Sequence, residues 1–395
     1  MKRQFLICIL IIAMAAFPSF SMDIDLQNYV TPYRLMRFLQ RAFDDVVRGN
    51  YNHKKSISEL VEETGTQLRA TNMDVFLDNR NVDAVLMYTI ISGNSSILEY
   101  LVTKDKHGYF NSDVVHALRQ YFMGQLELSS GKLDLIKDSY STRGIEPYIY
   151  FLVGNAMIKL NSKKAMHYFD HVRLISPGTM LEEMSLRNLL AIALNYGMED
   201  SAFGYIRDYT RQFHHSIYKK QFISLLSWFF VFHRIELQEE DIIFTLSFFD
   251  LEDQRDIYFT IARYSAISCN RKMGLLAIKK LKGMYKQLDY RDIAAIWLYE
   301  DLLSVTFVNI AALQRSIYNI PDNFLMQQDM VLKKALEVIL ADMQQSLIEE
   351  NIEFLDKNLI LEKDQKIKSN FNLESFIDKN LKKVALIDSI LNERE

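Results

Sequence analysis

Along most of the chain, apolar positions recur with the three-to-four-residue rhythm of helices that bury one face. The clearest instance lies between residues 176 and 213. Pro177-Gly178 breaks a preceding helix, Thr179 offers an N-cap oxygen, and Glu182 stands three residues on, the spacing of a capping box. Leu186, Leu189, Leu190, Ala193 and Leu194 then form a stripe. Gly197 is placed to end that helix and Asp200 to cap the next, in which Ala202, Ile206, Tyr209 and Phe213 share a face. Gly204 inside the second helix weakens it by about 1 kcal/mol relative to alanine. The pattern predicts a helix hairpin.

The rhythm continues on both sides. Thr31-Pro32 opens a first helix with Leu35, Phe38, Leu39, Ala42 and Val46 inward, ended at Gly49-Asn50. Helices are expected over about 56–68, 96–102, 112–128 and 132–140, with a connector over 74–80. Val82–Ile91 fits strand or buried helix by periodicity alone, and its helical neighbours decide for helix. A helix over about 148–160 and one from a Ser162 cap to 175, with Ala165, Phe169 and Val172 inward, precede the hairpin. Phe222, Leu225, Leu226 and Phe229 mark another from about 217. First helices of successive hairpins thus begin near 148, 180 and 217, close to the roughly 34-residue period of tetratricopeptide-type repeats. The Trp, Gly and Tyr signature positions of those repeats are unevenly filled. Each hairpin would bury one face on the next, giving an all-α solenoid whose concave side can hold a partner.

Further helices are expected over about 239–250, 254–268, 271–287 and 291–318. After Pro321 the chain contains neither Gly nor Pro. Leu332, Leu336, Ile339, Leu340, Met343 and Leu347 form a stripe, the register degrades over 356–372, and Leu381, Val384, Ile387 and Leu391 resume it. The tail could form a coiled coil, with too few regular heptads to require one. The expected organisation is a signal peptide (1–21), an N-terminal helical region (22–146), a helical-repeat region (147–320) and a long helical tail (321–395).

Composition narrows the function classes. With 395 residues, 49% of them hydrophobic, the chain can bury a large core, and its net charge of -4 lacks the basic footprint of a nucleic-acid binder. Only 13 Gly and 5 Pro leave little turn chemistry for a many-stranded fold. At the N-terminus, Lys2-Arg3, the apolar run Phe5–Phe17 and Pro18-Ser19-Phe20-Ser21 have the order of a signal peptide cleaved after Ser21. The apolar run is short for a membrane span, which makes an uncleaved anchor the weaker alternative. Cys8 falls inside that run without the small residue a lipoprotein site wants. Cleavage would leave Cys269 alone, read as a buried small hydrophobe.

Candidate chemistry is sparse. No phosphate loop, dinucleotide fingerprint or nucleophile elbow is present. His167 and His171 stand at i, i+4, but Tyr168 takes the place of a zincin glutamate and no third ligand is evident. On a helical wheel the pair lies opposite the Ala165/Phe169/Val172 face, and a solvated, ligand-free pair is expected. His214-His215 falls at a helix end, where a favourable interaction with the C-terminal dipole suffices. His233 continues an apolar face as a hydrogen-bonded core residue. Glu182-Glu183 and Glu239-Glu240-Asp241 stand at helix starts, where acids favour the N-terminus. No catalytic, cofactor or metal residue is expected, and the pattern singles out no partner-facing residue.

Four segments together resemble the periplasmic motility protein MotC family of flagellated alphaproteobacteria. They are Pro32–Gln40 with Gly49, Asn81–Gly93, Ser176–Arg187 and Arg211–Tyr218, in the family's order, and they span about 22–235. His214 stands where the family tends to have Pro, and Ile91–Asn94 replaces a more Gly-rich turn. The resemblance implies a non-enzymatic periplasmic protein needed for flagellar rotation, acting with the periplasmic part of the stator protein MotB. A general periplasmic scaffold for envelope biogenesis or secretion is the alternative. An enzyme would need a pocket of convergent, perturbed groups.

Overall fold

The computed structural model describes residues 31–50, 56–232, 237–284, 288–306 and 309–361, with side chains described up to 346. The proposed signal peptide, His233 and the stripe at 381–391 lie outside the described residues. Among the described residues the protein is all-α, with no strand. The chain divides into two compact units, 1–257 and 258–395.

The first unit opens with α1 (Pro32–Val47), whose first position is the expected proline, and α2 (Ile57–Ala70), held by a Ser56/Glu59 capping box. A 3-10 turn (Met73–Leu77) replaces the expected connector. Next come α3 (Asn79–Ser92) and α4 (Ser96–Lys104). The stretch that fitted strand or helix is helix, and every residue from Asn81 to Ile91 is buried, which explains its lack of a polar face. α5 (Asp113–Phe122) and α6 (Leu126–Ile136) form a hairpin; Gly124, at φ +79°, breaks the single helix expected over 112–128.

Two stacked hairpins follow, α7 (Glu146–Met157) with α8 (Ser162–Ile175) and α9 (Met180–Asn195) with α10 (Glu199–Gln212), and then α11 (Lys219–Phe232) and α12 (Glu239–Leu246), which pack on α9 and α10 respectively. Their first helices begin close to the expected positions. Two caps differ: Asn161, not Ser162, caps α8, and α10 starts before Asp200, which lies within its first turn.

α7 and α9 are buried almost all round, where a repeat lining an open groove would show a polar inner face. The reason is that α1 packs on α9 and α3 packs on α7. The inner face of these hairpins, expected to hold a partner, is filled by the protein's own N-terminal helices. Leu35, Leu39, Phe43 and Val47 of α1 are each exposed by 2% or less. Burial of such side chains favours the closed seam by roughly 1.5–3 kcal/mol each.

The second unit takes in the end of α13 (Leu251–Ser268), then α14 (Arg271–Gly283), α15 (Tyr290–Ser304), α16 (Ile310–Tyr318) and the 35-residue α17 (Gln327–Leu361). α15 and α16 replace the single helix expected over 291–318. Leu336 and Leu340 of the expected stripe are the buried contacts of α17. Buried Asp329 accepts a hydrogen bond from the Tyr299 hydroxyl (2.9 Å) and lies 3.3 Å from Arg263 Nε. Lys333, also buried, donates to the Ile320 carbonyl and to Asp322. Cys269 is exposed and adopts a left-handed φ of +57° after α13, so it is not the buried hydrophobe expected. It occupies the position where a helix ending usually wants glycine or asparagine.

Candidate functional site

The four segments singled out in the sequence meet in one place, the seam between α1, α3 and the start of α9. The Tyr33 amide donates to Asn81 Oδ1 (3.0 Å), and the Asn81 amide donates in turn to the Val75 carbonyl (2.7 Å). Gln40 Nε2 donates to the hydroxyl of fully buried Tyr148 (2.8 Å). Asp83 of α3 takes a two-pronged contact from Arg143, just before α7, at 2.5 and 2.9 Å. At the far end Arg48 Nε donates to the Gly178 carbonyl (2.8 Å), and the Met180 amide donates to Asp44 Oδ1 (3.0 Å). Gly49, at φ +84°, lies so close to His215 that a Cβ would stand 2.5 Å from the histidine Cβ.

Ser176–Arg187 is shaped for this docking. Gly178 turns at φ +71°. Its amide donates to Glu182 Oε2 at 2.5 Å, while Thr179 Oγ1 accepts weakly from the Glu182 amide at 3.4 Å. The expected capping box is therefore displaced by one residue, with the glutamate reaching Gly178. Burial raises Glu182 and Asp44 above the usual carboxylate range, against the lowering pull of their backbone hydrogen bonds. Beneath this turn lies a cavity of about 170 Å³, lined among others by Arg37, Gln40, Asp44, Tyr148, Ser176 and Thr179.

Glu183 is not simply an acid favoured by a helix N-terminus. It is fully buried and receives Arg187 Nη2 (2.9 Å), the Tyr209 hydroxyl (2.7 Å) and Ser216 Oγ (3.4 Å). Arg187 also reaches Gln221 on α11, and Tyr209 stacks on Phe222 with ring centres 3.8 Å apart. One buried charge pair thus ties α9, α10 and α11 together. The sequence carries its signal as Glu183 and Arg187 at i, i+4, a spacing equally common on solvated helix faces.

The histidines divide differently from expectation. His167 is exposed, but His171 is half-buried against the Tyr150 ring (4.1 Å) with Nε2 3.5 Å from Glu146. The pair is not uniformly solvated because α8 is packed by neighbours on two sides, which widens its buried arc to include Tyr168. His214 is pushed below its ordinary value by burial and by His215, and it hydrogen-bonds the Thr210 carbonyl (3.0 Å). Through that hydrogen bond it satisfies the end of α10. Glu239-Glu240-Asp241 is exposed in the first turn of α12, as expected. No group of three or more metal-binding side chains occurs among the described residues.

The family model described as "Chemotaxis protein MotC" matches residues 1–395. The chain belongs to the MotC family of chemotaxis proteins. It is 31% identical over 310 residues to the "Chemotaxis protein MotC" of Rhizobium meliloti (strain 1021), covering 78% of this chain and 71% of that protein. No solved structure matches. The MotC match therefore runs beyond residue 235, where the resemblance in the sequence ended, into the second unit. Within this chain, the segments that carried the resemblance are the ones that close the seam. Among the described residues no helix is long and apolar enough to cross a membrane.

Proposed function

We propose that this motility-related protein is a non-enzymatic periplasmic component required for flagellar rotation, and that it works by binding the periplasmic part of the stator protein MotB. The observation that carries this reading is the match of the whole chain to the chemotaxis protein MotC family. The use made of its polar groups supports it. Asp44, Asp83, Glu183 and Arg187 hold helices to one another and do not converge on an open reaction site. Export, with Met22 as the proposed mature N-terminus, is supported by the succession Lys2-Arg3, Phe5–Phe17 and Ser19/Ser21.

The deciding experiment is a deletion strain. Flagella are expected to assemble and not to turn, with rotation restored by the intact gene. Loss of the filaments, or normal swimming, would reject the stator role and favour a general envelope scaffold. Amino-terminal sequencing of the protein from the periplasmic fraction checks the compartment, and full-length chain recovered from the cytosol would contradict it.

A further inference from the structure

We propose that the outward face of α1 is the docking surface, and that it receives an acidic, carboxylate-rich segment of a protein partner. This rests on the reading that the protein acts by binding a motility component, and it adds which face binds and what chemistry the partner presents. Arg34, Arg37, Arg41 and Arg48 are all exposed. At ~100° per residue they fall within an arc of about 60° and extend along roughly 20 Å of helix. The other face of α1 is locked into the seam, so the ridge is held rigid before any partner arrives.

Half of its charge is unspent. Arg34 and Arg41 have no ion pair or hydrogen bond among the described residues. Arg37 reaches Gln40 of its own helix (3.0 Å), and Arg48 commits Nε to the Gly178 carbonyl. Of the two acids of the helix, Asp44, raised overall by burial, takes the Met180 amide and is lowered in part by the nearby charges of Arg48 and Arg37, and Asp45 is half-buried with an interaction of its own. In a chain of net charge -4, this concentration of positive charge is a local feature and not a result of composition.

The chemistry of the ridge selects among anionic partners. All four cations are arginines, whose planar fork meets a carboxylate through two parallel hydrogen bonds. A membrane-docking helix pairs its cations with large exposed apolar side chains that insert among lipids. Here the neighbouring aromatic is Tyr33, 37% exposed and overlain by Arg80 at 5.3 Å from its ring centre. Nucleic acid calls for a basic domain, which this charge balance does not provide.

The test is fluorescence anisotropy on the purified chain with two probes, a labelled deca-glutamate peptide and the periplasmic part of MotB. Wild type is expected to bind both, more weakly as salt rises above about 0.1 M. Arg34→Glu/Arg41→Glu should weaken both by about tenfold or more with an unchanged circular dichroism spectrum, since neither side chain is buried or paired. Lys132→Glu/Lys163→Glu, at exposed positions on α6 and α8, should change neither. Full MotB binding by the α1 variant would overturn the ridge and leave the stator reading intact. If MotB does not bind but the peptide is held by wild type and lost by the variant, the stator reading fails and the ridge stands. Binding of neither probe, or binding of phosphatidylglycerol vesicles without the peptide, overturns the proposal.

Discussion

Single residues decide how tightly the hairpins hold one another. Arg187 is buried, and removing it leaves Glu183 charged without its partner inside the protein. Arg187→Ala is expected to lower stability by about 3–5 kcal/mol, read from the urea unfolding midpoint, and Glu183→Leu/Arg187→Met to recover part of it because no charge is then stranded. If Arg187→Ala leaves the midpoint unchanged, the pair is not the tie described. Asp134 gives a pH signature. Burial raises its carboxyl, but hydrogen bonds from Lys164, Tyr168 and Lys137 outweigh this and hold it at about 2. A depressed carboxylate stabilises above its unfolded value, near 3.8, and that contribution fades as pH falls toward 2. Asp134→Asn should narrow its stability gap from wild type between about pH 4 and pH 2, and a gap that stays constant over that range would count against it. The sequence concealed these roles because a paired acid and a solvated acid are written with the same letter. Only neighbours more than 25 residues away distinguish them.

At the level of elements, the hairpin rhythm was legible because stripe, cap and breaker agreed at 176–197. The second helices also repeat a contact that no local pattern reveals. Tyr168 donates to Asp134, and Tyr205 donates to Asp170 at 3.2 Å, each linking one second helix to the one before it. Burial and the adjacent carboxylate push Tyr205 up to about 12. α3, α7 and α9 were placed correctly, but their all-round burial came from helices distant in sequence. Turn glycines separate backbone strain from packing. Gly49 and Gly197 both have positive φ, at +84° and +66°, so an alanine at either meets the left-handed cost of about 1–2 kcal/mol. Only Gly49 faces a neighbour, His215, whereas nothing lies within 4 Å of a Cβ at Gly197. Gly49→Ala should therefore be the more destabilising of the two in urea titrations, and equal effects would show that the contact is soft. Leu190, at 0% exposed, sets a further contrast. Leu190→Asp should prevent folding through a stranded core charge, while His167→Ala on the exposed face leaves the melting curve in place.

At the level of the whole molecule, the hairpins of the first unit do not offer their inner face to a partner, because α1 and α3 already occupy it. A chain lacking residues 1–50 should expose the apolar surface of α9, bind a hydrophobic dye and aggregate; a soluble, dye-silent product would show that the seam is dispensable. The closure also joins residues made far apart in time. Asp44 waits for Met180, 136 residues later, Arg48 for Gly178, 130 later, and Gln40 for Tyr148, 108 later. At synthesis rates of about 5–20 residues per second, that delay is roughly 5–30 s. Throughout it the part of α1 that meets α9 is without its partner, although α2 and α3 cover the rest soon after they are made, and α5–α6 and α7–α8 close on near neighbours almost at once. The seam on α1 is thus among the last contacts of the first unit to close, and for several seconds the nascent chain depends on whatever shields that strip of the helix.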